Sequence, residues 1–170
     1  NDNDLIILSD VDEIPDLKKI KEFNKKNKYA VFSQKAFAYK LNLFNSAENN
    51  WHGTRMCLKK DLKSPQWLRN LKFKKYPFWR IDKPRNIQII QNGGWHFAYL
   101  LESVGISKKI KSFAHGEDNK KENTDINIIE NKMKNFLHPT KGFMLQKIEI
   151  DNTFPRYIIE NKERLKKWIV

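Results

Sequence analysis

Asp4-Leu5-Ile6-Ile7-Leu8-Ser9-Asp10-Val11-Asp12-Glu13-Ile14-Pro15 is the stretch whose reading decides the fold. Leu5 to Leu8 is a short, unbroken apolar run, which reads as a strand covered on both faces, as in the centre of an α/β sheet. The run stops at an acidic cluster. Pro15 and Asp16 then read as a helix start, with Leu17, Ile20 and Phe23 at helical spacing. The carboxylates thus stand where the C-terminal end of a strand meets the next element, the edge at which open α/β sheets bind ligands.

Two acidic residues at alternate positions beyond a strand bring like charges into one small volume, which is costly unless a cation or a proton joins them. Hard divalent ions such as magnesium or manganese take oxygen ligands and bridge carboxylates to substrate phosphates. Asp10 and Asp12 are therefore read as metal ligands, with Asp10 also near the bound phosphates.

Working outward, Tyr29–Ser33, Ala36–Phe44 and Gly53–Leu58 read as strands, the second rich in aromatics. Residues 59–85 are basic and interrupted by Pro65, Pro77 and Pro84, which predicts loops and short helices. Residues 86–91 read as a further strand. Glu102–Phe113 reads as a helix, Asp125 as the cap of a helix from Ile126 to Leu137, and Pro155–Val170 as a terminal amphipathic helix.

A second constellation is Gly93-Gly94-Trp95-His96, followed by Ser112-Phe113-Ala114-His115-Gly116-Glu117-Asp118. Glycines such as Gly94 let backbone approach a ligand closely. Trp95 offers a ring to stack on a sugar or base, and His96 or His115 offers a third metal ligand or a phosphate contact. Glu117 is a candidate general base toward an acceptor hydroxyl. Arg55, Arg69, Arg80 and Arg85 are candidates for diphosphate or acceptor contacts. Trp51 and Trp67 are candidates to line a sugar-binding groove, but read first as packing residues.

The chain has 170 residues, 39% hydrophobic and 31% charged, which fits one globular domain. Its 33 Lys and Arg against 20 Asp and Glu give a net charge of +13, which favours anionic partners. The basic residues are spread along the chain, with no nucleic-acid motif, so no specific nucleic acid is expected. Peripheral membrane association through the basic surface is open. The single cysteine, Cys57, excludes an internal disulfide.

"DLIILSDVDEIP", "GGWHFAYL" and "KKIKSFAHGE", in this order, resemble glycosyltransferase family 17, which includes β-1,4-mannosyl-glycoprotein N-acetylglucosaminyltransferases. The late "FPRYIIENKERLKKW" is also similar to the end of that family. The resemblance implies an A-type glycosyltransferase (nucleotide-diphospho-sugar transferase) fold, α/β with a mixed sheet flanked by helices. It implies that residues 1–170 are a single partial domain whose N-terminal part is missing. By the same resemblance Asp10 and Asp12 belong to the metal motif, Trp95 and His96 to a G-W-H segment, and Glu117 to an acidic position after the S-F-A-H segment. Manganese or magnesium, a UDP-sugar donor (N-acetylglucosamine by resemblance) and a glycan acceptor are the implied cofactor and partners, with inverting transfer. Ala98 and Asp118 depart from the family pattern, and both bear on acceptor geometry. In a bacterium the expected place is the cytoplasm, at the inner face of the membrane.

Two rivals remain from the sequence. A haloacid-dehalogenase-type phosphatase also carries D-x-D after an apolar strand, with Asp10 as nucleophile. It would normally have Thr or Val where Ile14 stands, and a late acidic pair that is missing here. The other rival is a basic, non-enzymatic binding module.

Overall fold

The computed structural model describes residues 1–72, 77–80, 84, 85, 87–112 and 118–170. The protein is mixed α/β, with both parallel and antiparallel strand pairs. It divides into two compact units, residues 1–35 with 50–96, and residues 36–49 with 97–170.

In the first unit, β1 (Leu5–Leu8) pairs antiparallel with β5 (Trp51–Leu58), and β5 pairs antiparallel with β3 (Tyr29–Ala38). Strand β6 (Gln88–Ile90) lies parallel to β3. Side chains alternate across the strands, so the sheet has two faces. Ile7, Ala30, Phe32, Met56, Leu58 and Ile90 pack together on one, with Phe23 and Ile20. Ile6, Leu8, Tyr29 and Cys57 pack with Leu68, Leu71 and Trp67 in another cluster.

Ile6, Ile7 and Leu8 are thus partly covered, on both faces, but Leu5 is exposed and the strand is not central, so the run is less buried than expected. Among the described residues β1 pairs with β5 alone and stands at the end of the strand order. An unbroken apolar run reports covered faces and carries no information on lateral position.

The helix expected after Pro15 is replaced by two shorter elements. Glu13–Pro15 forms β2, and Leu17–Glu22 forms a 3₁₀ turn capped by Asp16, whose side chain accepts from the Lys18 N–H. β2 is claimed by antiparallel pairing with the start of β7 (Gly94–Ala98). After that pairing only a short coil is left to carry Ile20 and Phe23 into the core. Helix α1 (Pro65–Arg69) starts as its residues require, with Pro in the first turn and the Ser64 hydroxyl accepting from the Trp67 N–H at 3.1 Å.

The second unit holds the end of β3, β4 (Leu43–Phe44) and β8 (Gln146–Lys147), joined antiparallel by the pairs Phe37 with Phe44 and Leu43 with Lys147. The two strands expected at 29–33 and 36–44 are in fact one ten-residue strand and a short return. The break comes at Tyr39, which has φ 65°. Helices α2 (Ser103–Lys111), α3 (Lys121–Thr124) and α4 (Ile126–Lys134) pack on one another. Ile106, Ile110 and Ile129 meet Ala38, Tyr39, Leu43 and Leu145 in the core of this unit. Asp125 caps α4, accepting from the N–H groups of Asn127 and Ile128.

The terminal helix expected over Pro155–Val170 is cut to α5 (Arg156–Glu160) and a 3₁₀ turn at Lys166–Trp168. The last residues are held elsewhere. The Leu41 N–H donates to the Trp168 carbonyl at 2.7 Å, and the buried Asn42 side chain bonds both the N–H and the carbonyl of Val170. A straight helix would carry Val170 away from Asn42. Among the described residues no helix is long and apolar enough to cross a membrane.

His138 in this unit makes stability depend on pH. Its Nδ1 accepts from the N–H groups of Thr140 and Lys141, and its ring lies 4.5 Å from that of Phe143. Burial pushes its pKa down to about 4, with Glu48 opposing and Lys141 assisting. The folded protein therefore binds fewer protons than the unfolded chain between the ordinary histidine value and about 4. The contribution is complete above pH ~6.5 and is lost as pH falls toward the lower value, on the order of 2 kcal/mol. Denaturant melts at descending pH are expected to show that loss. His138→Asn keeps an acceptor for the same N–H groups and should flatten the slope; an unchanged slope would assign it to other groups.

Candidate functional site

The candidate site lies in the first unit, around the turn that joins β1 to β2. The turn is tied at several points. The Glu13 N–H donates to the Asp10 carbonyl at 3.0 Å, and the Asp10 N–H to the Glu13 carboxylate at 3.2 Å. The Ser9 hydroxyl donates to the Glu13 carbonyl and shares a 2.6 Å hydrogen bond with the Thr54 hydroxyl on β5. Val11 at the apex is fully exposed, while Asp10 and Asp12 are half-buried and Glu13 is buried.

The β2–β7 pairing sets the rest. Glu13 stands opposite His96, Ile14 opposite Trp95 and Pro15 opposite Gly94. Two segments distant in sequence, the acidic turn and the Gly93-Gly94-Trp95-His96 segment, thereby meet. Nε2 of His96 comes to 3.7 Å from Oδ2 of Asp12. Trp51, at the start of β5, stacks on the His96 ring at 4.2 Å between centroids and 16° between planes. Its indole N–H donates to Glu13 at 2.9 Å.

Arginines balance the three carboxylates. Arg69, from α1, grips Asp10 with both arms of its guanidinium, Nε at 2.7 Å and a terminal nitrogen at 2.9 Å. This fork holds the Asp10 carboxyl below the usual carboxylate range, against partial burial and repulsion from Asp12. Arg55, on β5, donates to the Gly53 carbonyl, and its Nε is buried without a partner among the described residues. Burial lowers its pKa, while Glu13 and Asp10 pull it back up.

The glycines serve the backbone. A Cβ on Gly94 would meet the Ile14 carbonyl oxygen at 2.1 Å, and one on Gly93 the Phe32 Cβ at 2.8 Å. The close approach anticipated at Gly94 is therefore made by β2. Gly53 leaves room for Glu13 and Gln34, whose amide donates to Thr54 at 3.2 Å.

Of the residues named from sequence, Asp10, Asp12, His96, Arg55 and Arg69 converge. Trp95 does not join them: on the two-stranded ribbon it faces away from His96, on the side of the exposed Ile14. Glu117 and His115 lie outside the described residues. Glu13 was missed as a site member and stood in the motif as context only; Trp51 was named as a groove or packing residue, and its contacts with His96 and Glu13 were not foreseen.

The donor chemistry suits a hard divalent ion. Asp10 and Asp12 bring carboxylate oxygens and His96 an imidazole nitrogen, and the buried Nδ1 of His96 has no partner among the described residues. Among the described residues no group of three or more His, Cys, Asp or Glu side chains is placed so that it could hold a metal ion. No protein-family model, no curated protein and no solved structure matches this chain.

Proposed function

We propose that this chain is the catalytic part of a metal-dependent glycosyltransferase similar to family 17. It would transfer a sugar, N-acetylglucosamine by that resemblance, from a UDP-sugar to a glycan acceptor with inversion. The observation that carries the reading is the register of β2 with β7. It joins the acidic turn to the G-W-H segment, with Asp12 facing His96 across it.

On this reading Asp12, with Asp10 and His96, would hold manganese or magnesium, an ion that would supply positive charge against the leaving diphosphate. Arg69 and Arg55 take the phosphate oxygens, for which a planar guanidinium is matched. Trp51 holds the His96 ring in place by stacking, and Glu13 holds Trp51 through its indole N–H. Glu117, from its place in the sequence, is the candidate to draw the proton from the acceptor hydroxyl.

The test is a thermal-shift screen of UDP-sugars with and without manganese. At a hundredfold excess over Kd a ligand adds ~2.7 kcal/mol, which moves Tm by about 5–10 °C in a chain of this size. The shift is expected only with manganese and a UDP-sugar together. Melting curves that no UDP-sugar moves at any manganese concentration would remove the proposal.

A further inference from the structure

We propose that the turn from Pro77 to Arg80 is an interfacial anchor that seats Phe78 and Trp79 in the surface of an anionic lipid bilayer. The Arg80 N–H donates to the Pro77 carbonyl at 3.0 Å, which closes a turn with Phe78 and Trp79 at its two central positions. Their side chains are 78% and 66% exposed. Two large apolar groups side by side in water, at the tip of a turn, mark a contact surface more strongly than scattered exposed residues do. The rings pack edge to face, 5.1 Å apart and 79° between planes, so they form one wedge. The Arg85 guanidinium donates to the Phe78 carbonyl and braces the turn from behind.

The surroundings select the occupant. Between residues 72 and 85 there are six Lys and Arg against one Asp, in a chain of net charge +13. Basic side chains near an apolar tip are drawn to acidic headgroups, and Trp and Phe favour the boundary between headgroups and acyl chains. One weak apolar insertion becomes useful anchoring when a basic patch adds to it. The edge-to-face pair covers a ring face, so it is a poor platform for a sugar or base. The inference does not rest on the transferase reading.

Co-sedimentation with vesicles tests it, using equal parts phosphatidylglycerol and phosphatidylcholine against phosphatidylcholine alone. The wild-type chain is expected to pellet with the anionic vesicles, less at high salt, and to stay largely in solution with the neutral ones. Phe78→Ser combined with Trp79→Ser should weaken binding about tenfold or more with an unchanged melting curve, while Trp79→Phe retains most of it. Equal binding by the double serine variant would overturn the proposal, because charge alone would then suffice. A wild-type chain that ignores anionic vesicles, or that is held instead by immobilised glycans through Trp79, would overturn it too.

Discussion

Asp12→Ala is expected to cut manganese-dependent UDP release by about a thousandfold or more, ~4 kcal/mol of transition-state stabilisation, with the fold intact. Oδ2 of Asp12 stands 3.7 Å from Nε2 of His96, where the acidic turn meets the G-W-H segment, so this variant removes a hard oxygen donor at that meeting point. The effect on stability should be small, within about 0.5 kcal/mol, because the side chain sits in a half-buried turn outside both core clusters of its unit. Val11→Ala, one residue away on a fully exposed side chain, is the matched control and should leave UDP release unchanged. Activity retained by Asp12→Ala would end the transferase reading.

The second large effect falls on folding. Gly94→Ala is expected to destabilise the protein by on the order of 4 kcal/mol or more. Gly94 has φ +137°, a region that side-chain-bearing residues rarely enter. The added Cβ would also sit 2.1 Å from the Ile14 carbonyl oxygen and 2.9 Å from the Asp16 nitrogen, both backbone atoms that no rotamer change can relieve. β2 would have to part from β7, and His96 from Glu13 with it. Gly142→Ala separates strain from overlap. Gly142 also has positive φ, +72°, but no atom lies within 4 Å of its Cβ position, so its cost should stay near 1 kcal/mol. Chemical denaturation of the two variants side by side decides the matter; equal midpoints would mean that β2 and β7 are not tightly paired in solution.

What the sequence discloses here is local. The strand at Leu5–Leu8 and the cap at Asp125 each act within a few residues, and each is found where the chain places it. Pairing partners are different. β2 is three residues long, too short for any periodicity, and nothing in Glu13-Ile14-Pro15 announces that Gly94–His96 will lie beside it. The lateral place of β1 and the bend that divides the terminal helix are set by distant contacts, above all Asn42 with Val170. In the site, Asp10, Asp12 and His96 were legible as chemistry, because carboxylates and imidazoles near turns are conspicuous. Glu13 was not, and Trp51 only as a generic groove or packing residue, because their importance lies in touching each other across β2 and β5.

The Asp10–Arg69 fork has a bearing on how any anionic ligand would arrive. The acidic turn carries its own counter-ion, so binding there is an exchange in which a newcomer must supply what the guanidinium now provides and receive the guanidinium in return. A cation alone would compete with Arg69 for Asp10, and an anion alone would compete with Asp10 for Arg69. A cation and an anion together satisfy both sides at once. Each should therefore tighten the other's grip by the same factor, and that mutual dependence is written into one pair of hydrogen bonds at 2.7 and 2.9 Å.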